Sequence, residues 1–251
     1  MKALLSGGDP ASAEADWHPM PACLTAREAR RLSPHIRLAL SAAEPIAPAL
    51  PEDAGWVFAS SSGEGETLHV ILEAIRRPEL LIQPIRFQNS VHNAASGQWT
   101  IATRRRGPVT SIAAYDDTVG VGLLKALMQV TLEQRAVGLI VFDGALPPPL
   151  HEKRPVACSM AMAVALAPAE VATLQDLAVI EGRLGDGSPQ LPETACERRF
   201  AETGNPVAAA VPLLSAIFGA GGTSGGVEVA PTIRLGVGGA RALHVTVEPA
   251  A

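Results

Sequence analysis

Two hydrophobic periods alternate along the first part of the chain. Trp56-Val57-Phe58-Ala59 is a compact apolar run of strand length. A Gly/Ser stretch from Ser60 to Gly65 follows, and then Leu68, Ile71, Leu72 and Ile75 recur at helical spacing. Upstream, Thr25-Ala26-Arg27-Glu28 has the form of a capping box. Ser33-Pro34 predicts a second helix start, with Ile36, Ala39, Leu40 and Ala43 as its stripe and Pro45 as its limit. Downstream, Asn89 or Ser90 caps a predicted helix to about Thr103, with Val91, Ala94, Ala95 and Trp99 on one face. Gly107-Pro108 breaks the chain. Val109 to Ala114 predicts a strand, Thr118 to Glu133 an apolar helix and Val137 to Phe142 a second buried strand. Strands alternating with helices predict parallel β-α-β connections.

Leu146-Pro147-Pro148-Pro149 is a rigid joint and the predicted internal boundary, separating residues 1–146 from a shorter part at 151–251. Val156, Cys158, Met160, Met162, Val164 and Leu166 alternate with Ala and Ser, which predicts one long strand. Ala172 to Ile180 reads as another strand, residues 181–206 as a loop, and Val207 to Phe218 as a helix containing Pro212. After the Gly-rich turn at 219–226, two closing strands are expected at about Val227–Leu235 and Ala242–Val247, joined by Gly236-Val237-Gly238-Gly239.

Composition narrows the class. The 251 residues are 47% hydrophobic and 18% charged, enough for one large domain with a real core. Only 4% are aromatic, so small side chains must fill much of that core. The net charge is -5 and Arg104-Arg105-Arg106 stands alone, which argues against a nucleic-acid role. Cys23, Cys158 and Cys196 are odd in number and far apart, suiting neither a disulfide framework nor zinc; a cytoplasmic setting is expected. The N-terminal apolar run is too short for a signal segment, and no stretch reaches membrane-spanning length.

Candidate chemistry is sparse. Ser60-Ser61-Ser62-Gly63-Glu64-Gly65 can present backbone amides to an anion or form a tight structural turn; it lacks the lysine of a P-loop. Asp116-Asp117 reads as an acid pair or as acids complementing a helix start. His18, His35, His69, His92, His151 and His244 are scattered; His92, beside Asn93, is the most suggestive. No cofactor or metal is implied.

The segment Phe87 to Gly144 changes this picture, because it resembles β-ketoacyl synthases around their nucleophile. Asn93, Gly97, Thr100 and Ile101 match the family's first helix there, Gly107-Pro108 its turn, and Ser111-Ile112-Ala113-Ala114 its strand. That register puts Asp116 where the family has its catalytic cysteine. A carboxylate cannot form the acyl thioester, and it repels a developing oxyanion. The likeness is good over residues 33–166 and loose beyond. The family's two histidine motifs and its lysine are missing after Leu166. The resemblance therefore implies an α/β fold of the thiolase type, layered α-β-α-β-α with a truncated second half.

The segment SVHNAASG is similar to short ketoacyl-synthase-like chain-length factors of aryl polyene and xanthomonadin-type pathways. This implies a non-catalytic partner of an active β-ketoacyl synthase, with acyl carrier protein engaged through that partner. It also implies an interface strand of Val109, Thr110, Ser111, Ile112, Ala113 and Ala114, and His92, Asn93, Gln98 and Trp99 as tunnel-wall candidates, with Trp99 equally readable as core. The competing expectation is a stand-alone acyl-thioester decarboxylase or hydrolase using Asp116 or His92.

Overall fold

The computed structural model describes residues 19–77, 79, 81–171, 178–220 and 230–249. His18, residues 172–177 and the Gly-rich turn at 221–226 lie outside the described residues. The helices are α1 (Ala26–Ala29), α2 (Pro34–Ala43), α3 (Gly65–Arg76), α4 (Pro84–Asn89), α5 (Ala94–Thr103), α6 (Thr118–Glu133), α7 (Leu150–Lys153), α8 (Ala195–Ala201) and α9 (Val211–Ala220). The strands are β1 (Gly55–Ala59), β2 (Val109–Ile112), β3 (Val137–Asp143), β4 (Met160–Leu166), β5 (Ala178–Asp186), β6 (Thr232–Gly236) and β7 (Arg241–Pro249).

Sheet A has the order β2-β1-β3-β4. Its first three strands are parallel, as the alternation of elements predicts, and β4 closes it antiparallel to β3. The sheet is covered on both faces, so β1 and β3 are apolar without interruption. Val57, Ala59, Leu139 and Val141 face one core, with Leu123 and Ala126 of α6. Trp56, Phe58, Ile140 and Phe142 face the other, with Ile36 and Leu40 of α2 and Trp99 of α5. Sheet B, ordered β5-β7-β6, lays Ile233, Leu235, Leu243, Val245 and Val247 against the first core. α6 is thus the filling between two sheets. Beyond it, cross-strand partners Arg234 and His244, and Thr232 and Thr246, turn a polar face outward. Two sheets with a helix layer between them are the expected α/β class, with a reduced second half.

Several boundaries depart from the sequence expectation. The helix expected from the cap at residue 89 or 90 starts only at Ala94, and an unexpected short helix, α4, precedes it. The strand expected at 156–166 pairs only from Met160 onward, because Ala157 N bonds Thr203 O instead (2.8 Å). The expected loop at 181–206 contains most of β5 and all of α8. Helix α8 is closed by a capping box, Thr194 with Glu197, whose four-residue spacing was present in a stretch dominated by Gly and Pro. The strand expected through Ala114 stops at Ile112, since Ala114 N turns to Thr118 Oγ1 (3.0 Å) and starts the next helix.

Helix α3 carries the largest surprise. Its stripe of Leu68, Leu72 and Ile75 faces outward, with Leu72 61% and Ile75 66% exposed. Leu81, Ile82 and Phe87, in and before α4, are exposed beside it. Helical periodicity identifies an apolar face but not what covers it.

The α6 layer depends on close approach. A Cβ at Gly120 would meet the backbone oxygen of Gly236 in β6 at 2.1 Å. Gly120→Ala is expected to lower stability by roughly 1–3 kcal/mol, measured as a fall in denaturant midpoint with the slope unchanged.

Candidate functional site

Because β1, β2 and β3 run parallel, their C-terminal ends share one edge of sheet A. That edge gathers Ser60–Gly63 after β1, Ala113–Asp117 after β2, and Asp143 at the end of β3. Open α/β sheets place ligands at such an edge.

Asp143 is fully buried and is the anchor of the edge. Its Oδ1 accepts from Ser60 Oγ (3.1 Å) and Ser62 N (2.9 Å), and its Oδ2 from Ser61 N (2.9 Å). Burial pushes its carboxyl up, against these hydrogen bonds and the positive charge of Arg154. Asn205 Nδ2 donates to Asp143 O (3.0 Å) and to Cys158 O (2.9 Å), tying the same point to the second half. The Gly/Ser loop therefore spends two of its backbone amides on a carboxylate of its own chain, which favours the structural reading of that turn over the anion-binding one.

Ser60, His35 and Asp143 have the composition of a hydrolytic triad in the wrong order. In a working triad the imidazole stands between hydroxyl and carboxylate. Here the hydroxyl stands between the other two: Ser60 Oγ lies 3.1 Å from Asp143 Oδ1 and 3.1 Å from His35 Nε2. Ser60 has one proton, which it donates to Asp143, so His35 Nε2 must carry a proton and donate to Ser60 Oγ. An imidazole in that tautomer cannot deprotonate the serine. Burial, with a smaller contribution from His92, pushes the His35 imidazole down to about 4, so it is neutral. Its ring packs against Phe142 at a centroid distance of 4.7 Å.

Asp116 sits in the turn between β2 and α6. Its Oδ1 accepts from Arg154 Nη2 at 2.6 Å; the carboxylate side chain is 71% exposed and the guanidinium side chain only 14%. Arg154 also lies over the ring of Tyr115, 3.8 Å from its centroid. Tyr115 has φ +52°, the left-handed region that a bulky residue seldom occupies. Thr118 Oγ1 donates to Tyr115 O (2.7 Å) and accepts from Ala114 N (3.0 Å), which fixes the turn. The acid pair does not converge on one point: Asp116 reaches Arg154, and Asp117 lies against Gly236 of β6. Among the described residues no group of three His, Cys, Asp or Glu side chains is placed to hold a metal.

The tunnel-wall candidates separate. His92 is exposed and its Nε2 lies 3.3 Å from Ser60 O. Asn93 is exposed at the start of α5, and Gln98 is half-buried. Trp99 is the correction: it is 1% exposed and its ring meets Trp56 at 4.7 Å, so it is core. A helix packed on a sheet must put its largest apolar side chain inward. The Cys23 thiol is pushed up to about 12 by burial and by Glu44.

Residues 8–204 match the β-ketoacyl synthase N-terminal domain, which is most of the chain. The chain belongs to that family. The fold agrees. A solved complex of a ketosynthase (ApeO) with its chain length factor (ApeC) from Xenorhabdus doucetiae contains a similar chain: 23% identity, TM-score 0.66, covering 90% of this chain and 83% of that one. The ishigamide ketosynthase/chain length factor gives 18% identity and TM-score 0.57, over 68% of this chain and 54% of that one. A β-ketoacyl synthase from Burkholderia phymatum STM815 gives 12% identity and TM-score 0.52, over 81% and 57%. No curated protein sequence matches significantly.

Within this ketoacyl-synthase frame, sequence reasoning singled out Asp116, listed His35 only among scattered histidines, and passed over Asp143, Tyr115 and Arg154. Two signals were there: Asp143 ends an otherwise apolar strand, and Tyr115 is the one tyrosine of the chain.

Two outcomes follow for the edge. Asp143→Asn turns an amide NH₂ against a backbone N–H and is expected to lower stability by roughly 2–3 kcal/mol, read by chemical denaturation at pH 7. His35 binds a proton less readily folded than unfolded, so its stabilisation is present above the ordinary histidine value and lost as pH falls from about 6.5 to about 4. Relative to His35→Gln, the native chain should lose up to about 3 kcal/mol over that window; parallel pH profiles of the two proteins would refute this.

Proposed function

We propose that this ketoacyl-synthase family member is a non-catalytic subunit of the chain-length-factor type. It pairs with an active β-ketoacyl synthase and shapes the tunnel for a growing acyl or polyene chain in fatty-acid- or polyketide-like synthesis. The observation that carries this is Asp116. A carboxylate held by Arg154 stands at the head of α6, where the sequence resemblance aligns the family's thiol. It supplies no acyl-transfer nucleophile and sets negative charge where an oxyanion would need donors.

Pairing is supported by two unsatisfied surfaces. Strand β2 is an edge of sheet A. Trp56 N donates to Pro108 O and Ser60 N to Ile112 O, so the even-numbered residues of β2 face β1. By alternation, Val109 and Ser111 turn their N–H and C=O groups to the open side, a template for another strand. The second surface is the exposed apolar stripe of α3 with Leu81, Ile82 and Phe87. His92, Asn93 and Gln98, at the accessible end of α5, are proposed to lie near the partner's acyl chain. Acyl carrier protein is engaged through the catalytic subunit, and the assembly is cytoplasmic; no helix among the described residues is long and apolar enough to cross a membrane. The stand-alone decarboxylase or hydrolase reading is weakened because Asp116 is occupied by Arg154 and the His92 ring is tied to Ser60 O.

Coexpression with a catalytic β-ketoacyl synthase of the aryl polyene type should give a 1:1 complex by native mass spectrometry. Ser111→Pro removes an outward N–H without touching the bonds to β1, and should abolish that complex while leaving the fold's circular dichroism intact. Leu72→Asp should weaken it at least tenfold. A covalent acyl adduct on the isolated chain, followed by extension, would overturn the proposal.

A further inference from the structure

We infer that Tyr115 is the residue that sets product length, an aromatic stop presented by this chain to the acyl chain growing in its partner. The inference rests on the chain-length reading above and names the residue that would perform it. Four independent features single out this ring. It is 63% exposed, whereas Trp99 of α5 is spent in the core. It stands three residues past the end of β2, the open strand at which the partner is proposed to join. It occupies the turn into α6, immediately before Asp116, so it borders the position that corresponds to the family's reacting centre.

The fourth feature is rigidity. An exposed tyrosine ordinarily samples several rotamers, and a ring that swings aside cannot terminate a tunnel. This one is restrained from both ends. Its backbone is held at φ +52° by Thr118 Oγ1 on its carbonyl. Its ring is pressed by the Arg154 guanidinium at 3.8 Å, and Arg154 is in turn fixed by Asp116 at 2.6 Å. A left-handed backbone at a bulky residue is a strained arrangement that persists where the surroundings impose it. Asp116 and Arg154 thus have a positioning role: they hold a flat, largely apolar surface in one place.

The test uses the coexpressed complex with the catalytic ketosynthase, supplied with malonyl-loaded carrier protein and an acyl starter, with product lengths read by mass spectrometry. Tyr115→Gly removes the ring and also relieves the positive φ, so folding is not threatened. It should move the major product up by at least one two-carbon unit. Tyr115→Phe should leave length unchanged, and Arg154→Met should broaden the distribution by freeing the ring. An intact Tyr115→Gly complex that makes products of native length overturns the inference and leaves the proposed function standing. A complex that forms with the native chain but not with Tyr115→Gly assigns the ring to docking and also overturns it. If the native chain forms no complex, the chain-length reading itself falls and takes this inference with it.

Discussion

Burying the Asp143 carboxylate obliges the chain to bring donors to it, and the donors it brings determine how the edge of sheet A is built. An ionised or strongly polar group in a fully buried site is tolerated only when its oxygens are satisfied. Ser60, Ser61 and Ser62 do this from the end of β1, which bends the loop back over β3. The loop's geometry then sets where α3 starts, and Ser60 passes the constraint on to His35 of α2 and to His92. From the backbone side of the same residue, Asn205 draws in Cys158 and the start of the second half. Asp143 thus links α2, reached through Ser60, to the second half of the chain, reached through Asn205.

The two sheets meet through a helix chosen for thinness on the contacting sides. Gly120 lets α6 reach the β6 backbone, and Gly122 lets it lie against Ala59. A chain with so few aromatic residues builds its core by bringing backbones together, not by interposing large rings. The aromatic rings it does have are concentrated on the opposite face of sheet A, where Trp56, Phe58, Trp99 and Phe142 fill the space under α2 and α5.

Much of this was legible beforehand where local pattern and tertiary demand agree. Helix α6 begins at Thr118 and ends at Glu133 as its apolar spacing indicates, and β3 follows its apolar run to within one residue. What was hidden was hidden for physical reasons. The α3 stripe has the period of a core-facing helix, and period says nothing of whether the covering surface belongs to the same molecule. Strand β5 alternates poorly because Gly182 faces Leu127 of α6, so the position that would show an apolar residue holds none. The Asp143 cluster joins residues 35, 60, 92, 143 and 205, a set no sequence window contains. Asp116 stood out as half of an acid pair and again through the family resemblance, but its counter-ion, Arg154, lies 38 residues away beyond the proline joint.

The Arg154 contact makes Asp116, Arg154 and Tyr115 one mutually dependent unit. Replacing Asp116 by a neutral residue would strip a mostly buried guanidinium of its carboxylate and leave it stacked on the Tyr115 ring alone. Each of the three residues constrains the other two, so a substitution at one is felt at all of them, and mutational effects within the trio combine non-additively.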